Sequence, residues 1–156
     1  MTFNKQQQEA YERAAVLCSR AEKSPGSIRK KMLDWGLPEE ETAPVLSKLK
    51  EENFINPSRF VRSYVHDKFH FNRWGKIKIT WHLKAEEIPG SLIREALGEI
   101  TAEAYKNCLR ILLKEKSKGI KAAGRYERKA KLFRFALSRG FEPDVIRAVI
   151  GKTEED

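Results

Sequence analysis

The sequence predicts an all-α protein made of three tandem three-helix repeats that stack into an elongated, curved body. Three observations support this fold class: helix-start signals recur along the chain, a pattern of apolar residues repeats about every fifty residues, and strand signals are scarce. The chain has 156 residues, 40% of them hydrophobic and 34% charged, which suits a folded, water-soluble protein. The predicted repeats are residues 1–55, 56–100 and 101–156.

The helix starts are marked by capping residues, prolines and acidic first turns. Ser24-Pro25 and Asn56-Pro57 each place a side-chain acceptor before a proline at the first helical position, where the missing N–H costs nothing. Other starts, some with an acidic first turn that the helix dipole favours, lie at Pro38, Thr101 and Pro143. The first helices of the repeats are predicted at residues 5–22, 57–73 and 101–118.

The second and third helices of each repeat follow a common pattern around a turn. Gly36 has apolar residues four and eight positions before it and one, nine and ten positions after it. Gly140 has apolar residues at the same offsets. A middle copy keeps the offsets but has Glu87 in place of the glycine. Glycine readily adopts the left-handed conformation that closes a helix, so each copy predicts a helix, a turn and a helix. The alternative is one irregular helical bundle in which the repeat is coincidental.

One segment, residues 77–82, is rich in β-branched and aromatic side chains and would suit a strand in isolation. Ile79 and Leu83 nevertheless lie at helical spacing. We therefore predict a helix there.

Positive charge is concentrated in two segments. Residues 106–134 hold eleven Lys or Arg against two glutamates, and residues 54–84 hold seven against Asp67 alone, in a chain with a formal net charge of +9. Basic side chains gain free energy by displacing counterions from phosphates, so this pattern favours a polyanionic partner.

Each segment contains a basic stripe at helical spacing. The stripes are Arg59, Arg62, His66, His70 and Arg73, and Lys106, Arg110, Lys114, Lys118, Lys121, Arg125 and Arg128. The first stripe could contact phosphates, or could simply be the solvated face of an amphipathic helix. The second could be a mobile basic arm that tracks phosphates, or a solvated linker. Gly119 and Gly124 are expected to divide the second stretch into two helices or a linker, because interior glycine costs a helix about 1 kcal/mol.

Aromatic and metal-ligating residues give weaker signals. Trp35, Trp74 and Trp81 could stack on unpaired bases, but we predict core packing for Trp81 and Trp35 and leave Trp74 open. Residues 66–70 form a His-Asp-x-x-His pattern, typical of metal-dependent phosphohydrolases, for which further ligands are scarce. Cys18 and Cys108 lack disulfide or zinc spacing and are expected at the core or its boundary. We predict no catalytic residue, metal or cofactor.

Three segments resemble the RecX family of recombination regulators, in order and at suitable spacing. They are CSRAEKSPGSIRKKMLDWGL, FVRSYVHDKFHFNRWGKIKI and KLFRFALSRGF. The resemblance covers residues 10–151 and implies tandem three-helix repeats. It also implies binding of RecA recombinase, chiefly as its filament on single-stranded DNA, with suppression of ATP hydrolysis, strand exchange and self-cleavage of the SOS repressor. The sequence departs from the family at Glu87 and in the unusually basic segment 114–130.

These inferences define a candidate surface facing the filament. Its residues are Arg59, Arg62, Lys68, Arg73, Lys76, Lys78, Lys114, Lys118, Lys121, Arg125, Arg128, Lys129 and Arg134. Autonomous nucleic-acid binding is the main alternative function. We expect a cytoplasmic monomer that does not enter a membrane, because no apolar stretch is long enough to cross one and the N-terminus lacks a secretion signal.

Overall fold

The computed structural model describes residues 2–121 and 124–155, with side chains through residue 151. Within these ranges it contains helices and no β-strand. The helices are α1 (Lys5–Arg20), α2 (Pro25–Asp34), α3 (Glu39–Glu51), α4 (Pro57–His70), α5 (Lys76–Lys84), α6 (Gly90–Gly98), α7 (Ala102–Ser117), α8 (Arg125–Ser138) and α9 (Pro143–Glu155). The all-α prediction is confirmed, and the segment with strand character lies in α5.

Side-chain caps form at the helix starts that the sequence marks. Ser24 Oγ accepts a hydrogen bond from Ser27 N at 3.0 Å, and Thr101 Oγ1 accepts one from Ala104 N at 3.1 Å. Asn56 Oδ1 accepts one from Arg59 N at 3.0 Å in the first turn of α4. Each cap satisfies a backbone N–H that has no partner within its helix.

The chain divides into two compact units, which are described separately below. The first runs to Tyr64 and includes Leu83–Ile93, and the second comprises Val65–His82 and the chain from Arg94 onward. This division falls within the helices of the predicted second repeat. The repeat boundaries at residues 55/56 and 100/101 therefore remain a prediction.

The core of the first unit comes largely from α1, α2 and α3. Its fully buried side chains include Ala14, Ile28, Met32, Val45 and Leu49, three of which belong to the repeated pattern. Trp35 packs against this core, as predicted, with the Arg13 guanidinium 4.1 Å from its ring centroid.

The core of the second unit includes residues at the matching positions of the pattern. Ile79, Leu109, Ala136, Phe141 and Ile146 have no solvent exposure. Most of the repeated apolar offsets are therefore core positions, while Leu132 and Ile150 in the second unit are half-buried.

The turns at the centre of the pattern share one backbone conformation. Gly36 has a φ of 93° and Gly140 a φ of 92°. After each glycine the next N–H donates to a carbonyl five residues back, which satisfies an end carbonyl of the preceding helix. Glu87 takes the left-handed conformation as well, with a φ of 58°, although it has a side chain. The predicted turn therefore forms in all three copies.

Within the first unit, the start of α2 is hydrogen-bonded to the turn between α5 and α6. Gly26 N donates to Glu86 O at 3.1 Å, and Ser24 Oγ donates to the Glu86 carboxylate. Arg29 Nε donates to Glu87 Oε2 at 2.9 Å. This contact, made by residues 24–29 and 86–87, is called the first junction.

Within the second unit, the start of α5 is hydrogen-bonded to the turn between α8 and α9. Gly75 N donates to Arg139 O at 2.7 Å, and Ile77 N donates to Gly140 O at 3.0 Å. Lys76 N donates to the buried Tyr105 hydroxyl at 2.9 Å. This contact, made by residues 75–78, 105 and 139–140, is called the second junction.

Candidate nucleic-acid interface

Eleven of the thirteen predicted interface cations lie in the second unit, and Arg59 and Arg62 lie in the first. Because glycines interrupt the second basic stripe, its first residues lie on α7, which ends at Ser117, and its last on α8, which begins at Arg125. Lys118 and Lys121 lie between the two helices. The interruption predicted at Gly119 and Gly124 is thus present, and the stripe is not one continuous helix face.

Five cations from α7 and α8 surround a groove in the second unit. The cavity measures about 570 Å³ and is lined by Arg110, Lys114, Arg125, Arg128 and Lys129 with Leu113, Ser117, Leu132 and Ile150. We call it the basic groove. Its lining residues of known placement include no carboxylate. Leu113 on α7, Leu132 on α8 and Ile150 on α9 also line it, so the groove combines apolar and positively charged side chains.

Local contacts hold one arginine of the basic groove in place. Arg128 Nη2 donates to Ser117 O at 2.6 Å, at the last residue of α7. A cation there is favoured by the negative end of the helix dipole. Arg128 therefore links α7 to α8 as well as contributing charge.

A shallower cavity adjoins the connection between α7 and α8. It is lined by Lys116, Gly119, Ile120, Lys121, Lys131, Arg134 and Phe135. Lys131 makes two contacts within the protein: its Nζ donates to Lys121 O at 2.8 Å and lies 3.4 Å from Glu127 Oε1. Lys118 pairs with Glu115 at 3.2 Å, an exposed ion pair of small energetic value. Lys121 and Arg134 are both exposed.

One predicted cation from α4 and one from α5 lie beside Trp74 in the second unit. The Nζ atoms of Lys68 and Lys78 lie 4.8 and 4.7 Å from the Trp74 ring centroid. The His82 ring stacks on Trp74 with centroids 4.7 Å apart. We call these four residues the Trp74 cluster. Cation–π contacts position its ammonium groups beside an aromatic surface.

Two other predicted cations in this region have structural surroundings. Lys76 Nζ lies 4.9 Å from the centroid of the buried Tyr105 ring. Arg73 is half-buried and takes a left-handed conformation with a φ of 54°. Lys76 belongs to the second junction, and Arg73 lies two positions before it.

The predicted core role of Trp81 is wrong. Its side chain is 71% exposed, and Ile77, one helical turn earlier, is 51% exposed. Ile79 and Leu83 supply the buried face of α5, and residues two positions from a buried residue point roughly to the opposite side of a helix. The spacing of Ile79 and Leu83 was therefore the signal that could have placed Trp81 outside.

In the first unit, Arg59 and Arg62 differ in availability. Arg59 forms an ion pair with Glu22 and donates to Asn53 O at 3.2 Å. Arg62 is exposed, with no ion pair or hydrogen bond to the described residues. The acidic partner of Arg59 was missed because it lies 37 residues earlier, beyond any helical spacing.

The His-Asp-x-x-His segment lies on α4. The His66 and His70 rings are 4.6 Å apart, and His66 Nδ1 lies 3.5 Å from Asp67 Oδ1. All three residues are exposed. Among the residues with described positions, no three His, Cys, Asp or Glu side chains are arranged to hold a metal ion.

The cysteines are half-buried, unpaired thiols. Burial raises the pKa of Cys18 and of Cys108, and nearby cations oppose that rise only in part. Because the thiolate is the reactive form, this burial makes both thiols less reactive than an exposed cysteine. In the parts of the chain that the structure describes, no helix has the length and apolarity needed to cross a membrane.

Comparison with known proteins gives consistent matches. The second three-helix domain of RecX matches residues 58–97, and the third matches residues 103–150. Regulatory protein RecX of Ralstonia pickettii (strain 12J) is 31% identical over 145 residues, which are 92% of this chain and 87% of the relative. Regulatory protein RecX of Clostridium botulinum (strain Eklund 17B / Type B) is 28% identical over 82% of this chain. This chain spans about 60% of the clostridial protein's length.

Two solved structures have similar folds. A crystal structure of regulatory protein RecX gives a TM-score of 0.85 at 26% identity, covering 94% of this chain and 72% of that chain. The crystal structure of RecX from Lactobacillus salivarius gives a TM-score of 0.85 at 18% identity, covering 97% and 98%. At that identity the second match supports the fold alone.

Proposed function

The chain belongs to the RecX family, and on that premise we propose that it is a regulatory protein that binds RecA recombinase and its filament on single-stranded DNA. Binding inhibits ATP hydrolysis, strand exchange and the coprotease activity of the filament, and the chain performs no catalysis itself. The relatives it matches are named regulatory proteins. We propose that it acts in the cytoplasm as a monomer.

The observation that carries this proposal is the basic groove. Five cations, Arg110, Lys114, Arg125, Arg128 and Lys129, line one cavity and concentrate positive charge there. Such a groove attracts phosphates, because each contact releases condensed counterions. In the same unit, the exposed cations Lys121 and Arg134 belong to the proposed contact surface. In the first unit, the exposed Arg62 is a separate proposed contact. Arg59 is already paired with Glu22, so we expect it to add less positive charge to this surface than an exposed, unpaired arginine would.

The test is the DNA-dependent ATPase of a recombinase filament with increasing amounts of this protein. The double variant Arg110→Glu/Lys114→Glu reverses two charges of the groove and should inhibit at least about tenfold more weakly. The matched control Lys30→Glu/Lys50→Glu reverses two exposed lysines of the first unit and should inhibit like the wild type. Equal inhibition by the groove variant and the wild type would reject the groove as the contact surface.

A second variant tests the remainder of the predicted surface. Arg62→Glu/Arg73→Glu should weaken ATPase inhibition while leaving the far-ultraviolet circular dichroism spectrum unchanged. A correctly folded variant with full inhibition would remove these residues from the interface.

Autonomous nucleic-acid binding is the alternative, favoured by the same groove. It predicts tight, strongly salt-dependent binding to DNA without recombinase and no effect on the ATPase beyond competition for DNA. Measuring DNA binding at two salt concentrations beside the ATPase assay separates the two functions.

A further inference from the structure

Trp81 and Ile77 form an apolar strip on the outer surface of α5. They are 71% and 51% exposed and are four residues apart, so they are neighbours on one helix face. Within the described chain, the ring contact of Trp81 is an edge contact with His82, at 4.9 Å between centroids and 87° between planes. A large aromatic surface is therefore left open to solvent.

The segment of sequence that contains this strip is basic. Residues 68–82 contain Lys68, Arg73, Lys76 and Lys78 and no Asp or Glu. Lys78 precedes Trp81 by three positions and is its neighbour on the helix surface. Lys78 lies on α5, like Trp81, and Lys68 lies on the preceding helix, α4. The Nζ atoms of both lysines contact the Trp74 ring.

This combination selects the partner by its chemistry. An open indole stacks on any flat aromatic group, and neighbouring ammonium groups favour phosphates. A single-stranded nucleic acid offers both, because its unpaired bases alternate with a phosphate backbone. A protein surface that covered Trp81 and Ile77 would also have to provide carboxylates for the surrounding cations.

We propose that Trp81 is a stacking platform for an unpaired base of single-stranded nucleic acid, with Lys78 contacting the adjacent phosphate. Ile77 extends the apolar surface on which the base rests. This inference deepens the proposed function and rests on it, since it assigns part of the filament contact directly to DNA.

The test measures binding of a labelled oligothymidylate about 15 nucleotides long, without recombinase, by fluorescence anisotropy. Trp81→Ala should weaken binding roughly 5- to 100-fold, the range expected for loss of one base–aromatic stack. Trp81→Phe, which keeps an aromatic face, should retain most of the affinity. Leu33→Ala, which truncates an exposed apolar residue of the first unit, should bind like the wild type.

An abasic oligonucleotide of the same length separates stacking from charge, because it has the phosphates without the bases. Trp81→Ala should bind it as the wild type does. The inference is overturned if Trp81→Ala binds oligothymidylate normally, if it loses equal affinity for both oligonucleotides, or if the wild type does not bind oligothymidylate. Normal oligothymidylate binding with weakened ATPase inhibition would assign Trp81 to a protein contact.

The two proposals fail separately. A wild type that leaves recombinase ATPase unchanged, while Trp81→Ala loses base-dependent affinity, would reject the regulatory function and keep the stacking platform. Normal ATPase inhibition with no base-dependent effect of Trp81→Ala would reject the stacking platform alone.

Discussion

At the first junction, side chains make much of the contact between a helix start and a turn, whereas the second junction depends mainly on backbone groups. At the first junction, Ser24 Oγ donates a hydrogen bond to the Glu86 carboxylate, and Arg29 Nε donates one to the Glu87 carboxylate. At the second, the Gly75 and Ile77 N–H groups donate to the Arg139 and Gly140 carbonyls. In both junctions, the second helix of one copy starts against the turn of the next copy. The two junctions therefore share an arrangement but differ in the interactions that form it.

The difference follows from which residue occupies the turn. Gly140 allows the closest approach, since an added Cβ would overlap the backbone and Cβ of Lys78. Glu87 holds the left-handed conformation at a cost of about 1–2 kcal/mol for a residue with a side chain. Its ion pair with Arg29 is partly exposed, at 42% and 31% of the two side chains, so it offsets little of that cost. The first junction should therefore tolerate substitution better than the second.

The largest effect is expected from Gly75→Ala. An added Cβ would overlap the Gly140 carbonyl, and backbone cannot move aside as a flexible side chain can. We expect the free energy of unfolding to fall by about 3 kcal/mol, the upper part of the overpacking range. Urea denaturation measures this change.

Two other glycine-to-alanine substitutions provide comparisons for the loss of stability in Gly75→Ala. Gly26→Ala, where the nearest atom is Glu86 C at 2.8 Å, should cost less, about 1–2 kcal/mol. Gly98→Ala, which meets nothing within 4 Å, should be neutral or slightly stabilising. If Gly26→Ala proves the more damaging of the junction variants, the contrast between the junctions is wrong.

The next effect is expected from Tyr105→Phe. The hydroxyl accepts a hydrogen bond from Lys76 N and donates one to the Glu142 carboxylate, in a buried position. Its removal leaves a helix-start N–H without that partner, which should lower the free energy of unfolding by about 1–3 kcal/mol. Tyr64→Phe, a half-buried tyrosine of the first unit, is the comparison, and an equal loss there would deny Tyr105 a special role.

Tyr105 also predicts a pH dependence. Burial, followed by the hydrogen bond to Glu142, raises the pKa of its phenol above the ordinary value of about 10. The neutral phenol is therefore favoured in the folded state, so its stabilisation is full below that pH and is lost as the pH rises above it. In denaturation series from pH 8 to about 11, the wild type should lose stability more steeply than Tyr105→Phe. Parallel curves would contradict this assignment.

The smallest effect is expected from Glu87→Gly. Glycine relieves the left-handed strain but removes the ion pair with Arg29, so the two changes oppose each other. The free energy of unfolding should change by less than about 1 kcal/mol, with stabilisation the expected sign. Glu87→Ala, which loses the ion pair and keeps the strain, should be less stable than Glu87→Gly; the reverse order would show that strain is not the dominant cost.

The sequence predicts those features that local chemistry determines. Ser24, Asn56 and Thr101 mark helix starts because each satisfies N–H groups within its own first turn. The offsets around Gly36, Glu87 and Gly140 locate the turns because the left-handed conformation is a property of one residue. Both kinds of signal extend over only a few residues.

Long-range contacts could not be predicted in this way. The ion pair of Arg59 with Glu22 and the hydrogen bond of Lys76 with Tyr105 join residues about thirty to forty positions apart, and no periodicity relates them. The basic groove depends on how α7 packs against α8 and α9, so the spacing of charges indicated its cations but not the apolar residues that line it with them. Trp81 is exposed, contrary to the prediction, because it lies two positions from both Ile79 and Leu83, which form the buried face of α5.

The salt dependence of binding to the recombinase filament tests most directly whether the basic groove contacts phosphates. For the wild type, the logarithm of the association constant should fall linearly with the logarithm of salt concentration, and Arg110→Ala/Lys114→Ala should reduce that slope by about 2. Lys30→Ala/Lys50→Ala should leave the slope unchanged. A slope that is the same for all three proteins would contradict the claim that the groove binds the phosphates of the filament.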